Sequence, residues 1–449
     1  MRGAAARACS STPSSNSRCR NTRPPTVRGL SGPSTRCCSI PPTASSPRCS
    51  SSKRRVGSSD ATARCTSSTS RPVRITRVEL FDLTIPFVEP FIISGGRIDA
   101  RRSLIVALHD DAGHVGYGES PPFELPFYSA ETLAGARDLI VRVLLPRVAG
   151  QEIDAPDAVD AALRDGVRGN PFARAGIETA AWDLEAHRRG VGLGQLVALR
   201  LGVPAASSVP CGVALGIPED RQPGTLTRRV AAALEQGYRR VKIKVMPGWD
   251  AVAVTAARAA MSGVDLPLTV DANGAYAWPA DERSLRALDQ AGLLYIEQPL
   301  APDELVGHAV LGRTLATPVC LDETLTSAAV ARQVIDLEGP RVWNIKVHRM
   351  GGLAEVCRVY AQAAAYQAEL WVGTMPETGI GSQAALAVAG LPLCVYPSDL
   401  EPSSRWYGRD ADVIKLTMSK DGRMAVPGVS VARLLDMGRF RAAARPIAA

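Results

Sequence analysis

Short β-branched runs, each closed by one charged residue, recur along the second half of the chain at a nearly constant step. Val241-Lys242-Ile243-Lys244-Val245, Leu268-Thr269-Val270-Asp271, Leu294-Tyr295-Ile296-Glu297, Val319-Cys320-Leu321-Asp322 and Val342-Trp343-Asn344-Ile345-Lys346 have the continuous apolar character of strands buried on both faces. Their charged residues Lys244, Asp271, Glu297, Asp322 and Lys346 lie 27, 26, 25 and 24 residues apart, which leaves a helix-length segment between successive runs. This rhythm predicts a (β/α) barrel, in which the C-terminal strand ends surround the active site, so two lysines and three carboxylates converge on one mouth. The barrel is expected to start at 209–215, with strand seven at 369–373, a loop at 374–381 and strand eight at 393–396. The stretch beyond Asp399 is expected to return to the first domain.

Ahead of the barrel the pattern changes. Alternating strands over 73–87 and 103–109 lead through the turn Asp110-Asp111-Ala112-Gly113 into Val115-Gly116-Tyr117-Gly118-Glu119, a small meander. One helix is expected from about Ser129 toward Pro146. Another runs from Asn170-Pro171, read as N-cap and N1, to Gly190. The predicted fold class is α/β, with three parts: a disordered segment over 1–71, an α+β capping domain over 72–200, and a barrel with its C-terminal return over 201–449.

Composition changes the picture mainly at the N-terminus. The formal net charge of the chain is +8, but residues 1–70 hold 12 Lys/Arg against one acid, so the rest carries a net −3 and gives no electrostatic case for nucleic acid. The first segment is Ser-, Arg- and Pro-rich without apolar periodicity, which predicts disorder. A transit peptide, a basic arm and residues upstream of the true start compete for it, and the last is preferred. It also holds six of the ten cysteines. Cys211, Cys320, Cys357 and Cys394 lack metal spacing and read as core thiols of a cytoplasmic protein. No apolar run reaches membrane-spanning length, so no membrane partner is expected.

Lys242 and Lys244 are two apart on one strand and share a side of it. Each is expected to disfavour the other's charge, so that a lysine there can act as a base. Asp271, Glu297 and Asp322 cannot stay ionised together without a cation, and an oxygen-only donor set suits Mg²⁺, with Mn²⁺ as the alternative, rather than zinc. Lys346 lies nearly opposite Lys244 across the barrel. The implied chemistry is abstraction of a proton α to a carboxylate, giving an enediolate stabilised by the metal.

These residues stand within KIKV, VDANGAY, YIEQPL, LDET, NIKVHRMGGL and PETGIG, and together the motifs resemble the muconate-lactonizing-enzyme subgroup of the enolase superfamily over residues 73–431. The resemblance implies a (β/α)7β modified TIM barrel under an N-terminal capping domain. Asp271, Glu297 and Asp322 are implied as metal ligands, Lys244 and Lys346 as acid/base residues, Lys242 beside the substrate carboxylate, and Asn273, Glu323 and Glu377 as orienting groups. Within the subgroup the chain is similar to o-succinylbenzoate synthases and N-acylamino acid racemases. That implies a lyase or isomerase acting on a small-molecule carboxylate, a homo-oligomer, and for the synthase reaction a place in menaquinone biosynthesis. The alternatives are dipeptide epimerisation, muconate cycloisomerisation or a non-catalytic binding barrel. The chain departs from its relatives at Lys346-Val347-His348-Arg349 and at Thr374 and Pro376, all at the mouth. His348 is read as a polar rim residue or, alternatively, as a substrate contact or proton relay. The segments 90–97 and 121–128 are read as lids.

Overall fold

The computed structural model describes residues 72–93, 96–408 and 410–448. The segment 1–71 lies outside the described residues. Seven parallel strands form one sheet in chain order, from Gly212–Leu215 through Arg240–Lys244, Leu268–Asp271, Ile296–Glu297, Val319–Leu321 and Val342–Ile345 to Glu369–Val372. Helices alternate with them, as right-handed crossovers between parallel strands require. Register aligns the strand ends: Lys244 lies opposite Asp271, and Asp271 opposite Glu297.

The expected eighth strand is reduced to isolated parallel bridges, Leu370 with Cys394 and Cys211 with Ser398. Residues 393–399 nonetheless close the barrel, because Val395 N–H donates to Leu370, Gly212 N–H to Ser398 and Asp399 N–H to Val372. Pro392 precedes this segment, Pro397 lies within it, and neither can donate, which is why a regular ladder does not form.

The cap is an antiparallel sheet in the order Ala444–Ile447, Val73–Ile93, Gly96–Asp110, Val115–Ser120. The C-terminus thus pairs with the first strand, Leu80 opposite Ile447. The expected lid at 90–97 falls at the tip of the first hairpin, and residues 94–95 of it lie outside the described residues. The helix Pro171–Arg189 lies on Val115–Ser120 at glycine-only separation, since a Cβ on Gly118 would sit 2.2 Å from the Gly176 carbonyl.

Two local expectations are corrected. The first helix starts at Leu133, capped by Thr132, and after Leu139 it widens into a π turn and then a 3-10 turn. Asn170 occupies the N-cap position in the left-handed region but makes no side-chain cap. The carboxylate of Glu131 fills that role, accepting from the N–H groups of Phe172 and Ala173 at 2.9 and 3.0 Å. This explains why 129–131 is not helical: it closes the start of another helix. Among the described residues no helix is long and apolar enough to cross a membrane.

Candidate metal centre and flanking lysines

The strand ends bring the buried carboxylates of Asp271, Glu297 and Asp322 together, with one oxygen from each lying within 4.8 Å of the other two. Crowding raises the cost of charge here. Burial and the Asp271 carboxylate push Glu297 up, while burial with Asp322 and Asp271 pushes Glu323 up to about 7. The Glu323 Oε1 accepts from Asn273 Nδ2 at 2.8 Å, and its buried Oε2 has no hydrogen-bond partner among the described residues. An all-oxygen donor set under like-charge stress, with a spare carboxylate oxygen beside it, fits a divalent cation.

Cations surround the triad. Lys244 Nζ donates to Asp271 Oδ2 at 2.6 Å and to Asn273 Oδ1 at 2.5 Å. On the other side Lys346 Nζ donates to Asp322 Oδ2 at 2.9 Å and to the Tyr128 hydroxyl at 3.2 Å. Burial alone would lower the Lys346 pKa, but Asp322 and Tyr128 hold the ammonium well above its ordinary value. The same balance acts on Asp322, where burial is overcome by Lys346 and Arg349 and the carboxyl falls well below its usual range. Gly373 makes room for this end, because a Cβ there would lie 2.7 Å from Lys346 Cε.

For Lys242 the expected loss of charge is not what the structure contains. Lys242 turns inward to Glu297 at 2.9 Å, Asp399 at 2.6 Å and Asp271 at 3.5 Å, over the Trp371 ring. Burial works to neutralise it, but Asp399, Glu297 and Asp271 reverse that and hold it well above its ordinary pKa. Its partners come from other strands, so local spacing could not reveal them.

His348 is also corrected. It is fully buried rather than at a rim, with Nδ1 3.0 Å from Glu377 Oε1. Glu377 accepts from the Met375 N–H at 2.8 Å with its other oxygen, so it holds the loop after strand seven and does not join the triad. Burial would raise Glu377, but His348 keeps it below its usual range.

Several site residues escaped the sequence reading. Arg349 bonds Asp322 Oδ1, donates to the Asn344 carbonyl at 2.7 Å and reaches the Tyr128 hydroxyl at 3.2 Å. Asn344 Nδ2 donates to Glu297 Oε1 at 2.8 Å. Gln298 Oε1 accepts from Asp322 N–H at 2.9 Å and Thr324 N–H at 3.2 Å, fixing the backbone that carries Asp322. Asp399 was within reach: continuing the strand-end step from Lys346 lands on Gly373 after 27 residues and on Asp399 after 26 more. From the cap, Phe123 and Phe172 pack with Met375, and Phe127 and Tyr128 lean on that cluster, an apolar wall beside Lys346.

Residues 75–198 match the mandelate racemase / muconate lactonizing enzyme N-terminal domain, and residues 225–431 match the enolase C-terminal domain-like family. An N-succinylamino acid racemase of Thermus thermophilus is 42% identical over 360 residues, covering 80% of this chain and 94% of the relative. An o-succinylbenzoate synthase of Enterococcus faecalis is 34% identical over 355 residues, covering 79% of this chain and 94% of the relative. Among solved structures, a member of the enolase superfamily from Enterococcus faecalis V583 superposes with a TM-score of 0.76 at 32% identity, over 84% of this chain and 99% of that one.

Proposed function

The chain belongs to the mandelate racemase / muconate lactonizing enzyme family of the enolase superfamily and is an enzyme, and from that premise we propose that it racemises N-acylamino acids, N-succinyl derivatives above all, by removing the proton α to the carboxylate. The observation that carries this reading is the placement of Lys244 and Lys346, each bonded to a different member of one carboxylate triad. A substrate carbon held over the triad meets an amine on either face, so one lysine can remove the proton and the other return it.

Asp271, Glu297 and Asp322 are the proposed ligands of a Mg²⁺ ion, with Mn²⁺ able to replace it. Bound there, the ion would neutralise the triad, lend positive charge to the substrate carboxylate as charge builds on it, and withdraw from Lys346 the Asp322 anion that keeps it protonated. Lys242 supplies a fixed ammonium beside the substrate carboxylate. Asn273 and Tyr128 hold the two acid/base lysines through neutral oxygens, and Glu323 orients Asn273. The cap, taken as residues 72–200, contributes Tyr128 and the Phe123–Phe172 wall, which excludes water from the Lys346 side. Free core thiols at Cys211, Cys320, Cys357 and Cys394 suit a reducing compartment, and we place the enzyme in the cytoplasm.

A second reading, dehydration to o-succinylbenzoate, is favoured by the relative from Enterococcus faecalis. It would use Lys244 as base and Lys346 as a cationic neighbour of the intermediate. The test is incubation of the enzyme with each enantiomer of an N-succinylamino acid in D₂O with Mg²⁺. Racemisation with deuterium entry at Cα, lost on chelation, is the expected result; no exchange with either enantiomer would overturn the racemase reading.

A further inference from the structure

Every lysine of the site has two kinds of partner, one inside the carboxylate triad and one outside it. Lys244 bonds Asp271 and, outside, the amide oxygen of Asn273. Lys346 bonds Asp322 and, outside, the Tyr128 hydroxyl. Lys242 bonds Glu297 at 2.9 Å, lies 3.5 Å from Asp271, and has as its outside partner a carboxylate, Asp399 at 2.6 Å. Among the described residues, only here is the outside partner itself an anion.

Asp399 is held firmly for this purpose. It sits where the irregular closing segment meets strand seven, its N–H donating to the Val372 carbonyl at 2.9 Å, and its side chain is buried. The Arg240 guanidinium bonds Asp399 Oδ1, donates to the Pro397 carbonyl at 3.0 Å and to Thr269 and Tyr295 at 3.3 Å, and lies 4.8 Å from the centre of the Trp371 ring. Lys242 Nζ lies 4.6 Å from the same ring, so one indole supports both cations and one carboxylate bridges them.

A divalent cation and the Lys242 ammonium compete for the same Glu297 carboxylate. A buried ammonium that lost Glu297 and had no other anion would be stranded, at high cost in this interior. Resting on the metal reading above, we propose that Asp399 is a positioning residue for the metal centre: it retains Lys242 on the barrel axis, so that Glu297 and Asp271 can turn their charge to the metal. Lys242 then stays as the fixed ammonium of the site whether or not the triad is loaded. The neutral partners of Lys244 and Lys346 mark those two as the lysines whose surroundings change.

The test is calorimetric titration with Mg²⁺ alone on wild type, D399N, K242M and the K242M/D399N double variant, with thermal melting of each. D399N is expected to bind Mg²⁺ at least about tenfold more weakly, because Lys242 is left with the triad as its only anionic partner. The double variant is expected to bind as K242M does, within about twofold, since without the lysine Asp399 still holds Arg240 but no longer a cation that competes for Glu297. A D399N affinity equal to wild type overturns the proposal. So does a double variant that binds much more weakly than K242M, which would mean that Asp399 acts by packing or by its own charge. If D399N does not fold, the comparison of K242M with the double variant decides alone, as the latter removes one positive and one negative charge together. Absence of Mg²⁺ binding by wild type would overturn the metal reading itself, and is recognised before any variant is measured.

Discussion

Lys244 and Lys346 each bond one carboxylate of the same triad, yet the two ends of the site are built differently. The Lys244 side chain is 25% exposed, and both of its partners, Asp271 and Asn273, follow from one barrel strand. Lys346 is 10% exposed, shares Asp322 with the buried Arg349, and completes its contacts on Tyr128 from the cap. The Lys244 end is therefore finished within the barrel, whereas the Lys346 end is completed only when cap and barrel are assembled. Proton transfer on one face depends on local strand geometry, and on the other it depends on docking between domains.

The largest expected difference between the ends comes from removing their carboxylates. Asp322→Asn leaves Lys346 and Arg349 as buried cations without their anion, and should lower unfolding free energy by about 3–5 kcal/mol in chelator-treated protein. Asp271→Asn strands only the partly exposed Lys244 and should cost about 1 kcal/mol. Both should abolish the rise in Tm on adding Mg²⁺. Denaturant unfolding with and without metal checks this, and equal destabilisation by the two variants would dissolve the distinction.

Tyr128→Phe should act next most strongly and on one face only. Loss of the hydroxyl that accepts from Lys346 and Arg349 should slow α-proton exchange of the enantiomer served by Lys346 by about 10–100-fold, leaving the other within about threefold. Enantiomer-resolved exchange rates by NMR measure the split. A uniform loss would place Tyr128 in general packing.

The smallest effect lies behind the Lys346 end. His308 is buried against Gln298, which holds the Asp322 backbone, and its Nδ1 donates to the Glu304 carbonyl at 2.8 Å while Nε2 faces the Leu300 N–H. Burial lowers its pKa to about 4. Because the folded value lies below the unfolded value of about 6.5, its contribution is fully present above pH 6.5 and is lost as pH falls toward 4. Wild type should therefore lose about 1–3 kcal/mol relative to His308→Gln between pH 7 and pH 4. Parallel pH dependences for the two proteins would contradict the assignment.

The same contrast explains what was legible in the sequence. Strands buried on both faces must be apolar until the residue that reaches the mouth, so Lys244, Asp271, Glu297, Asp322 and Lys346 announce themselves by spacing. Glu323 follows one of these ends directly, and Asn273 follows another after one residue. Asp399 obeys the same step, but the irregular strand before it hid the pattern. Arg349 lies one helical turn beyond Lys346 and Tyr128 lies 218 residues before it, so neither shares the strand period. The charge of Lys242 was misjudged for a related reason: its neighbour in sequence is a cation, while its neighbours in space, Glu297 and Asp399, are anions from distant strands.

The two-faced arrangement of Lys244 and Lys346 is tested most directly by solvent deuterium exchange of each enantiomer of an N-succinylamino acid with the Lys244→Ala and Lys346→Ala variants. Both variants should fail to racemise, and each should still exchange the α-proton of one enantiomer, a different one in each case, through the lysine that remains. Exchange of both enantiomers by either variant, or loss of all exchange only when Lys244 is absent, would contradict it.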